Sequence, residues 1–444
     1  MQSEKVFIAK KISHLVKNQN RANSRKNKEF RRIPSFKRLS AVIALLGLAT
    51  ACVPIEQPNN ATVKKIKAYK PDVVATTHVD TALLQNLESQ LYQQMQTLMA
   101  QKQGARQDGY VYTVDLSQIL VYAAQKKDRR LYSPLRDFAI RNLIVDKPSD
   151  PYTRGFVLWR YQPGKPPDAS GTTEALRLAE SLWLGSSVFE ASDRDRAMLL
   201  LKGYTRHAHT DHDVWLIRNY FNLQTRAFAT NSFLVGYDPD FLRNVAGVTG
   251  DSTLQAVAEK SYLMVRQAVT PAGLLYDIVQ PEVLTLVPDL KNLVMFSPND
   301  VVKLANTCTV AERATLGAPE VGQKVIGFAR DRLPSLSTYY YGRTGKPVTE
   351  RTAEVATYSC LVRLAIKLND QKAFNAFLDP FVTHAQAVTE NREEFSLYTV
   401  MQALLAIQSI LQQSTALQNK AYVTPNHSKF ALEPPILKQC LNCS

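Results

Sequence analysis

Asp168 and Glu174 flank a small-residue turn in "PPDASGTTEALRLAESLW", residues 166–183, with Glu174 in the first turn of an amphipathic run. Two carboxylates beside a helix start can be held in different states, one ionised and one with a raised pKa. Acid/base cleavage of a glycosidic bond needs that division. A third carboxylate, Asp115 in "TVDLSQ", precedes another apolar helical run. The same residue types also serve structure alone, because Asp, Ser and Thr are ordinary N-caps and Glu an ordinary capping-box partner. A second constellation is "RHAHTDHD", 206–213, whose His207, His209, Asp211 and His212 read H-x-H-x-D-H, a spacing that can ligate zinc. A third is aromatic. Trp215, Tyr220 and Phe221 in "DVWLIRNYFNLQTRAF" and Tyr237 in "YDPDFL" can stack on sugar rings, with Arg218, Asp238 and Asp240 bonding hydroxyls. Aromatics at helical spacing are also common core residues. "YYYGRTGKP", 339–347, reads as an exposed loop whose tyrosines and Arg343 can line a cleft; it lacks the spacing of a phosphate loop.

The elements that must position these groups are mostly helices. In "DTALLQNLESQLYQQMQTLMAQKQ", Leu84, Leu87, Leu91, Met95 and Leu98 recur every three or four residues behind Asp80, a candidate N-cap. Further runs are "LSQILVYAAQKKD" with "PLRDFAIRNLIV", "TTEALRLAESLWLGS" with "DRDRAMLLLKGYTRHA", and "DSTLQAVAEKSYLMVRQAV". "TAEVATYSCLVRLAIKLND", "QKAFNAFLDPFVTHAQAV" and "FSLYTVMQALLAIQSILQQS" complete the series. "GYVYTVDL" and "FVLWRYQ" are the best strand candidates, and 271–299 reads as a long Pro- and Asp-rich loop. Ten to twelve helices in consecutive antiparallel pairs predict an all-α toroid, with long loops forming a groove.

Those helices bear on the histidine run. H-x-H-x-D-H is the zinc signature of the metallo-β-lactamase superfamily, where it follows an apolar strand. Here it follows "RDRAMLLLKGYTRHA", in which Ala197, Leu200, Leu201 and Tyr204 keep a helical period, and no histidine lies between His212 and His384. Histidines at a helix C-terminus also interact favourably with the helix dipole. A zinc metallohydrolase is therefore the third of three readings, and neither a metal nor another cofactor is expected.

Charge is distributed unevenly. The 444 residues carry a formal +15, but twelve Lys and Arg against two acidic residues fall in the first forty, and the rest is nearly balanced. The basicity belongs to a leader, so no nucleic-acid partner is expected. A basic stretch ending "FKRLS" precedes the uncharged "AVIALLGLATA" and then Cys52. This is the layout of an export signal, and the apolar run is too short to span a membrane. "LATAC" resembles the bacterial lipobox, with Ala49 where Leu is commoner; the resemblance implies lipidation of Cys52 and anchorage on the periplasmic or cell-surface side. The expected domains are a signal peptide over 1–51, lipidated Cys52 and a tether over 52–78, the helical domain over 79–425, and a tail over 426–444 containing "CLNC". In an exported chain Cys308, Cys360, Cys440 and Cys443 are candidates for disulfides whose pairing the sequence leaves open.

Four segments occur in a telling order: "TVDLSQILVYAAQKKDRRLYSPLRDF", "DASGTTEALRLAESLW", "NSFLVGYDPDFL" and "LQAVAEKSYLMVRQAVTPAGLLYD". Over about residues 110–280 this succession resembles the family-8 glycoside hydrolases, six-hairpin (α/α)6 barrels that cleave β-linked glucans and related polymers. The resemblance implies a barrel acting on polysaccharide by inverting hydrolysis. It places Asp115 where the family has a Glu general acid in a "SEG" motif. It places Thr172 at the family's central Asp, with Glu174 two residues on. On this reading Glu174 or Asp115 donates the proton and Asp168 activates water. The rival reading, from a different class, is a non-enzymatic envelope lipoprotein that binds glycan or scaffolds an assembly.

Overall fold

The structure is a computed structural model that describes residues 79–102, 104–211, 214–283, 291–348, 351–392 and 395–422. The expected signal, Cys52 and the tether lie outside the described residues, as do His212, Cys440 and Cys443. No helix among the described residues is long and apolar enough to cross a membrane.

Twelve α-helices occur among the described residues. In chain order they are α1 (Thr81–Lys102), α2 (Thr113–Gln125), α3 (Arg129–Asn142), α4 (Thr172–Val188), α5 (Asp193–Thr205) and α6 (Pro239–Thr249). They continue as α7 (Ser252–Gln267), α8 (Leu304–Glu312), α9 (Pro319–Arg330), α10 (Val355–Lys367), α11 (Gln371–Thr389) and α12 (Leu397–Tyr422). Burial separates two kinds. In α10 every residue from Val355 to Ala365 is buried, and α2 is buried nearly all round. In α3 only Tyr132 and Ala139 are. A helix apolar on all sides belongs inside, and one with a single apolar stripe belongs outside.

The even-numbered helices form the inner ring. α2 packs on α4 and α12, and α10 packs on α8 and α12. The turn Leu234–Gly236, which leads into α6, packs on α4 and α8. Each of the outer helices α3, α5, α7, α9 and α11 lies on the inner helix before it, and α1 docks on α11 and α12. The result is an all-α (α/α)6 toroid. Asp80 caps α1 through Leu83 N at 2.9 Å, and Leu84, Leu87, Leu91 and Met95 are buried as the stripe predicts. Glu88 on α1 clasps the ring shut: it accepts from Tyr122 Oη at 2.7 Å on α2 and from Gln408 on α12.

Inner helices turn into outer ones abruptly. Lys127, Gly250 and Asn369 adopt positive φ, and the next residue, Asp128, Asp251 or Asp370, caps the outer helix. Gly250 ends α6 at φ 73°, a conformation that glycine enters without the Cβ penalty. The reverse connections are long and hold all the described strands.

Sequence and structure part at "GYVYTVDL". Only Val111–Tyr112 is strand, paired with Arg160–Tyr161, and α2 begins at Thr113. Its β-branched and aromatic residues favour a strand locally, but Leu116, Ile119 and Leu120 must face the ring, and packing overrides propensity. The long loop at 271–299 likewise contains a hairpin, Ile278–Val283 against Lys291–Phe296, extended by Ser232–Phe233.

Candidate functional site

The axis of the toroid is hollow. A cavity of about 820 Å³ is lined by side chains from all six inner helices, Ser117 on α2, Arg177 on α4, Phe241 on α6, Glu312 on α8, Arg363 on α10 and Tyr398 on α12 among them. That volume lies within the usual range for ligand sites. A second hollow of about 630 Å³ shares Arg106 and Ser396 with it and extends the opening over Asp108 and Arg351.

A belt of buried polar groups joins the inner helices around this cavity. Gln402 Nε2 on α12 donates to Gln118 Oε1 on α2 at 2.6 Å. Arg363 on α10 donates to Gln402 Oε1 at 2.9 Å and, through Nε, to Glu312 Oε1 on α8 at 3.1 Å. Lys367 Nζ donates to the Glu312 carbonyl at 3.0 Å. On the other side Asp238, the N-cap of α6, accepts from Arg177 Nη2 on α4 at 2.9 Å and lies 3.6 Å from Arg313 Nε. Arg177 Nη1 also donates to Glu180 at 2.6 Å. Burial alone would raise the Glu312 pKa, but Arg363 and Lys367 outweigh it and hold the carboxyl below its ordinary range. For Asp238 burial dominates and the pKa is raised, with Glu180 adding to the effect and Arg177 opposing it. Cysteines 308 and 360, both buried, form a disulfide between α8 and α10 beside this belt. Of the four cysteines whose pairing was open, these two are joined.

The three sequence-predicted catalytic carboxylates sit at the helix-start end of the barrel, and none is among the side chains lining the cavity. Asp115, 1% exposed, receives a bidentate pair from Arg106 at 2.7 and 2.9 Å. Asp168 accepts from Trp159 Nε1 at 2.6 Å, Arg160 Nη2 at 3.0 Å and Ala169 N at 2.8 Å. Partial burial pushes its pKa up, but these donors prevail and it is lowered. Glu174 is folded back over Gly171, where a Cβ would meet Oε2 at 1.9 Å, so that position must be glycine for the side chain to lie as it does. Burial pushes the Glu174 carboxyl up to about 7, against a smaller opposing pull from Arg106. Arg106 therefore acts on both Asp115 and Glu174. The strands bring these segments together: Tyr112 pairs with Arg160, Leu158 with Ser170, and Ala169 with Asn222.

The predicted sugar-binding residues divide. Asp238 and Asp240 line the cavity. Asp240 is held by Tyr262 Oη at 2.7 Å and Thr315 Oγ1 at 2.9 Å. Tyr237 is wholly buried, donating no face to a cleft; its hydroxyl takes Ile217 N at 3.0 Å and Ser232 Oγ at 2.8 Å. Trp215 packs edge-on against Tyr237 at 6.3 Å. Arg218 lies over the Phe228 ring at 3.5 Å, Phe221 is core, and Tyr220 is exposed. The Tyr339–Tyr341 strand pairs with Val301–Lys303, and Arg343 N donates to Asp300.

The histidine run forms a hairpin, Ala208–Asp211 against Val214–Ile217. His207 is buried between Phe156 and Phe228, with ring centroids 4.9 and 5.1 Å away, and its Nδ1 lies 2.9 Å from the Arg218 carbonyl. Burial lowers its pKa to about 4, so it is a neutral core residue at physiological pH. His209 lies on the first strand of the hairpin. Among the described residues no group of three or more His, Cys, Asp or Glu side chains is arranged to hold a metal ion.

Sequence reasoning overlooked Gln118, Glu312, Arg363 and Gln402. A signal was present: Glu312 in "TCTVAERA" and Arg363 in "SCLVRLAI" are charges within otherwise apolar helical runs. A charge there must find a buried partner.

No protein-family model matches the sequence, and no characterised protein matches it by sequence. Solved structures do match by fold. A β-1,3-1,4-glucanase from Paenibacillus aligns with TM-score 0.58 and 13% identity, over 77% of this chain and 96% of that one. An α-amylase from Clostridium perfringens aligns with TM-score 0.53 and 14% identity, over 68% and 86%. A family-8 xylanase from Teredinibacter turnerae, solved with xylohexaose, aligns with TM-score 0.50 and 14% identity, over 68% and 81%. At such identities the likeness is one of fold: this chain has the six-hairpin, glycosidase-like (α/α)6 architecture.

Proposed function

We propose that this chain is an exported bacterial lipoprotein whose barrel binds polysaccharide in its axial cavity. The observation that carries the reading is the cavity itself: about 820 Å³, edged by all six inner helices and continuous with a second hollow at the opening. A glycan needs a long polar trough held rigid by side chains that are themselves fixed, and the Gln118–Gln402–Arg363–Glu312 belt supplies that rigidity. The fold is shared with proteins named for glucan and xylan cleavage. Calorimetric titration with a panel of β-linked oligosaccharides tests it. Binding lost on Tyr398→Ala supports the cavity; absence of binding to any glycan sinks the reading.

Inverting hydrolysis is the second reading, favoured by the opposite environments of Glu174 and Asp168. One carboxyl is pushed up to about 7 by burial, while the other is held low by Trp159 and Arg160. For this the chain must reach past the cavity to the helix-start end, where Glu174 would protonate the glycosidic oxygen as Asp168 activates water on the opposite face, with Asp115 held by Arg106. Hydrolysis should then disappear in Glu174→Gln and Asp168→Asn while binding persists, with the product released in the inverted anomeric form. A wild-type barrel that binds glycan and never cuts it leaves the binding reading alone.

Export and anchorage rest on the leader and its Cys52. The buried Cys308–Cys360 disulfide supports an oxidising compartment. Cys52→Ser should move the protein from the membrane to the soluble exported fraction. A variant that stays membrane-bound with residues 1–51 attached would refute the lipoprotein signal.

A further inference from the structure

We infer that the glycan taken into the axial cavity is acidic, and that Lys303 and Tyr398, backed by Arg177 and Arg363, form the subsite for a sugar carboxylate. The inference deepens the polysaccharide reading and rests on it. Six basic and four acidic side chains line the cavity, and the pairing among them is uneven. Arg106 is matched by Asp115, and Arg177 and Arg313 by Glu180 and Asp238. Arg363 and Lys367 share one acid, Glu312. Asp240 accepts from Tyr262, Thr315 and the Leu316 amide and is joined to none of these cations by an ion pair among the described residues. Lys303 has no acidic partner among the described residues, although it is half-buried at the start of α8 and lines the cavity.

The surplus has a focus. Tyr398, on the first turn of α12, lies within electrostatic reach of Arg363, Lys303 and Arg177, with Asp115 as the opposing charge. Its hydroxyl has no hydrogen-bond partner in the protein among the described residues, and the residue lines the cavity. A free phenol donor and an unmatched ammonium lining one cavity are a poor design for a neutral sugar, since taking a cation out of water is costly unless an anion meets it. It suits a carboxylate, which accepts from both groups and carries the single charge that one lysine lacks. A phosphate monoester would bring more charge than Lys303 offsets. A hexuronic acid unit presents this group along a polysaccharide chain.

The test uses one oligosaccharide in two forms: an oligouronate and the same chain with its carboxyls reduced to primary alcohols. Both α- and β-1,4-linked series are titrated calorimetrically into the purified full-length lipoprotein. The acidic form should bind about tenfold or more tightly than its reduced counterpart, and added salt should narrow the gap. Lys303→Met should erase the preference, Lys303→Arg should keep part of it, and Lys324→Met on the outer helix α9 should leave it intact. Tyr398→Phe should weaken the acidic form more than the reduced one. Equal affinity for both forms overturns the inference, as does a preference that survives Lys303→Met in a variant that melts like the wild type. Binding of neutral glucans or xylans with no binding of uronates overturns it while leaving the polysaccharide reading standing. Binding of no glycan at all removes both.

Discussion

The two ends of the barrel are made from the same twelve helices and differ in what joins them. At one end the chain passes from Gln125 to Arg129, from Thr249 to Ser252 and from Lys367 to Gln371, each time by a tight turn with an aspartate cap. At the other it wanders from Asn142 to Thr172, from Thr205 to Pro239, from Gln267 to Leu304 and from Arg330 to Val355, laying down short strand pairs on the way. The tight end fixes which helices are neighbours. The loose end gathers Arg106, Asp115, Asp168, Glu174, Asp238 and Lys303 around the starts of the inner helices. One end holds the fold and the other is free to carry chemistry, the usual arrangement of long loops on a rigid frame.

Mutations can sharpen or break that contrast. The largest effect is expected at the polar belt. Glu312→Ala leaves Arg363 buried, and the more exposed Lys367, without their acid and should cost about 3–5 kcal/mol in chemical denaturation. Replacing both Cys308 and Cys360 by Ala should cost about 2–4 kcal/mol, read as a fall in melting temperature equal to that of reduced wild type.

Glu174 gives a pH signature. Its folded pKa is raised from 4.5 to about 7, so the folded chain holds a proton that the unfolded chain releases. Its contribution to stability therefore declines as pH rises from about 4.5 to about 7. Glu174→Gln should be more stable than the wild type above pH 7, by about 1–3 kcal/mol after discounting for partial exposure, and indistinguishable below about pH 4.5. A flat difference across pH would mean that the carboxyl is not buried as described. The smallest effect belongs to the tight end: Gly250→Ala meets no neighbouring atom and should cost only about 1 kcal/mol, from backbone conformation alone. If Glu312→Ala costs no more than that, the belt does not hold the cavity and the comparison between the two ends fails.

What could be read from the sequence follows the same division. The stripe at Leu84, Leu87, Leu91 and Met95 and its Asp80 cap are local signals, and they predict α1 correctly. Asp128, Asp251 and Asp370 cap their helices in the same local way, although only Asp80 was singled out from the sequence. Periodicity is set within a few residues, so an all-α toroid was legible. The belt was not, because Gln118 and Gln402 meet across 284 residues of chain. The helical start at Thr113 was hidden too, since "VYTV" favours a strand until the ring claims its apolar side chains. Of the candidate site, the segments were legible and the partners were not. Nothing in the order of letters says that Asp115 will be clamped by Arg106 or that Tyr237 will be core.

The seam between α1 and the pair α11 and α12 has a consequence for how the molecule comes into being. Gln94 Nε2 bonds the Val388 carbonyl at 3.0 Å, across 294 residues, and Glu88 reaches Gln408. A chain made from its N-terminus has α1 waiting, with its apolar stripe uncovered, until α12 has been synthesised. Closure of the ring needs α12 and must bring distant segments together, which slows it. A nascent chain of this protein is an open, sticky arc that only its own far end can finish. Any truncation before α12 should leave it in that state, prone to aggregate.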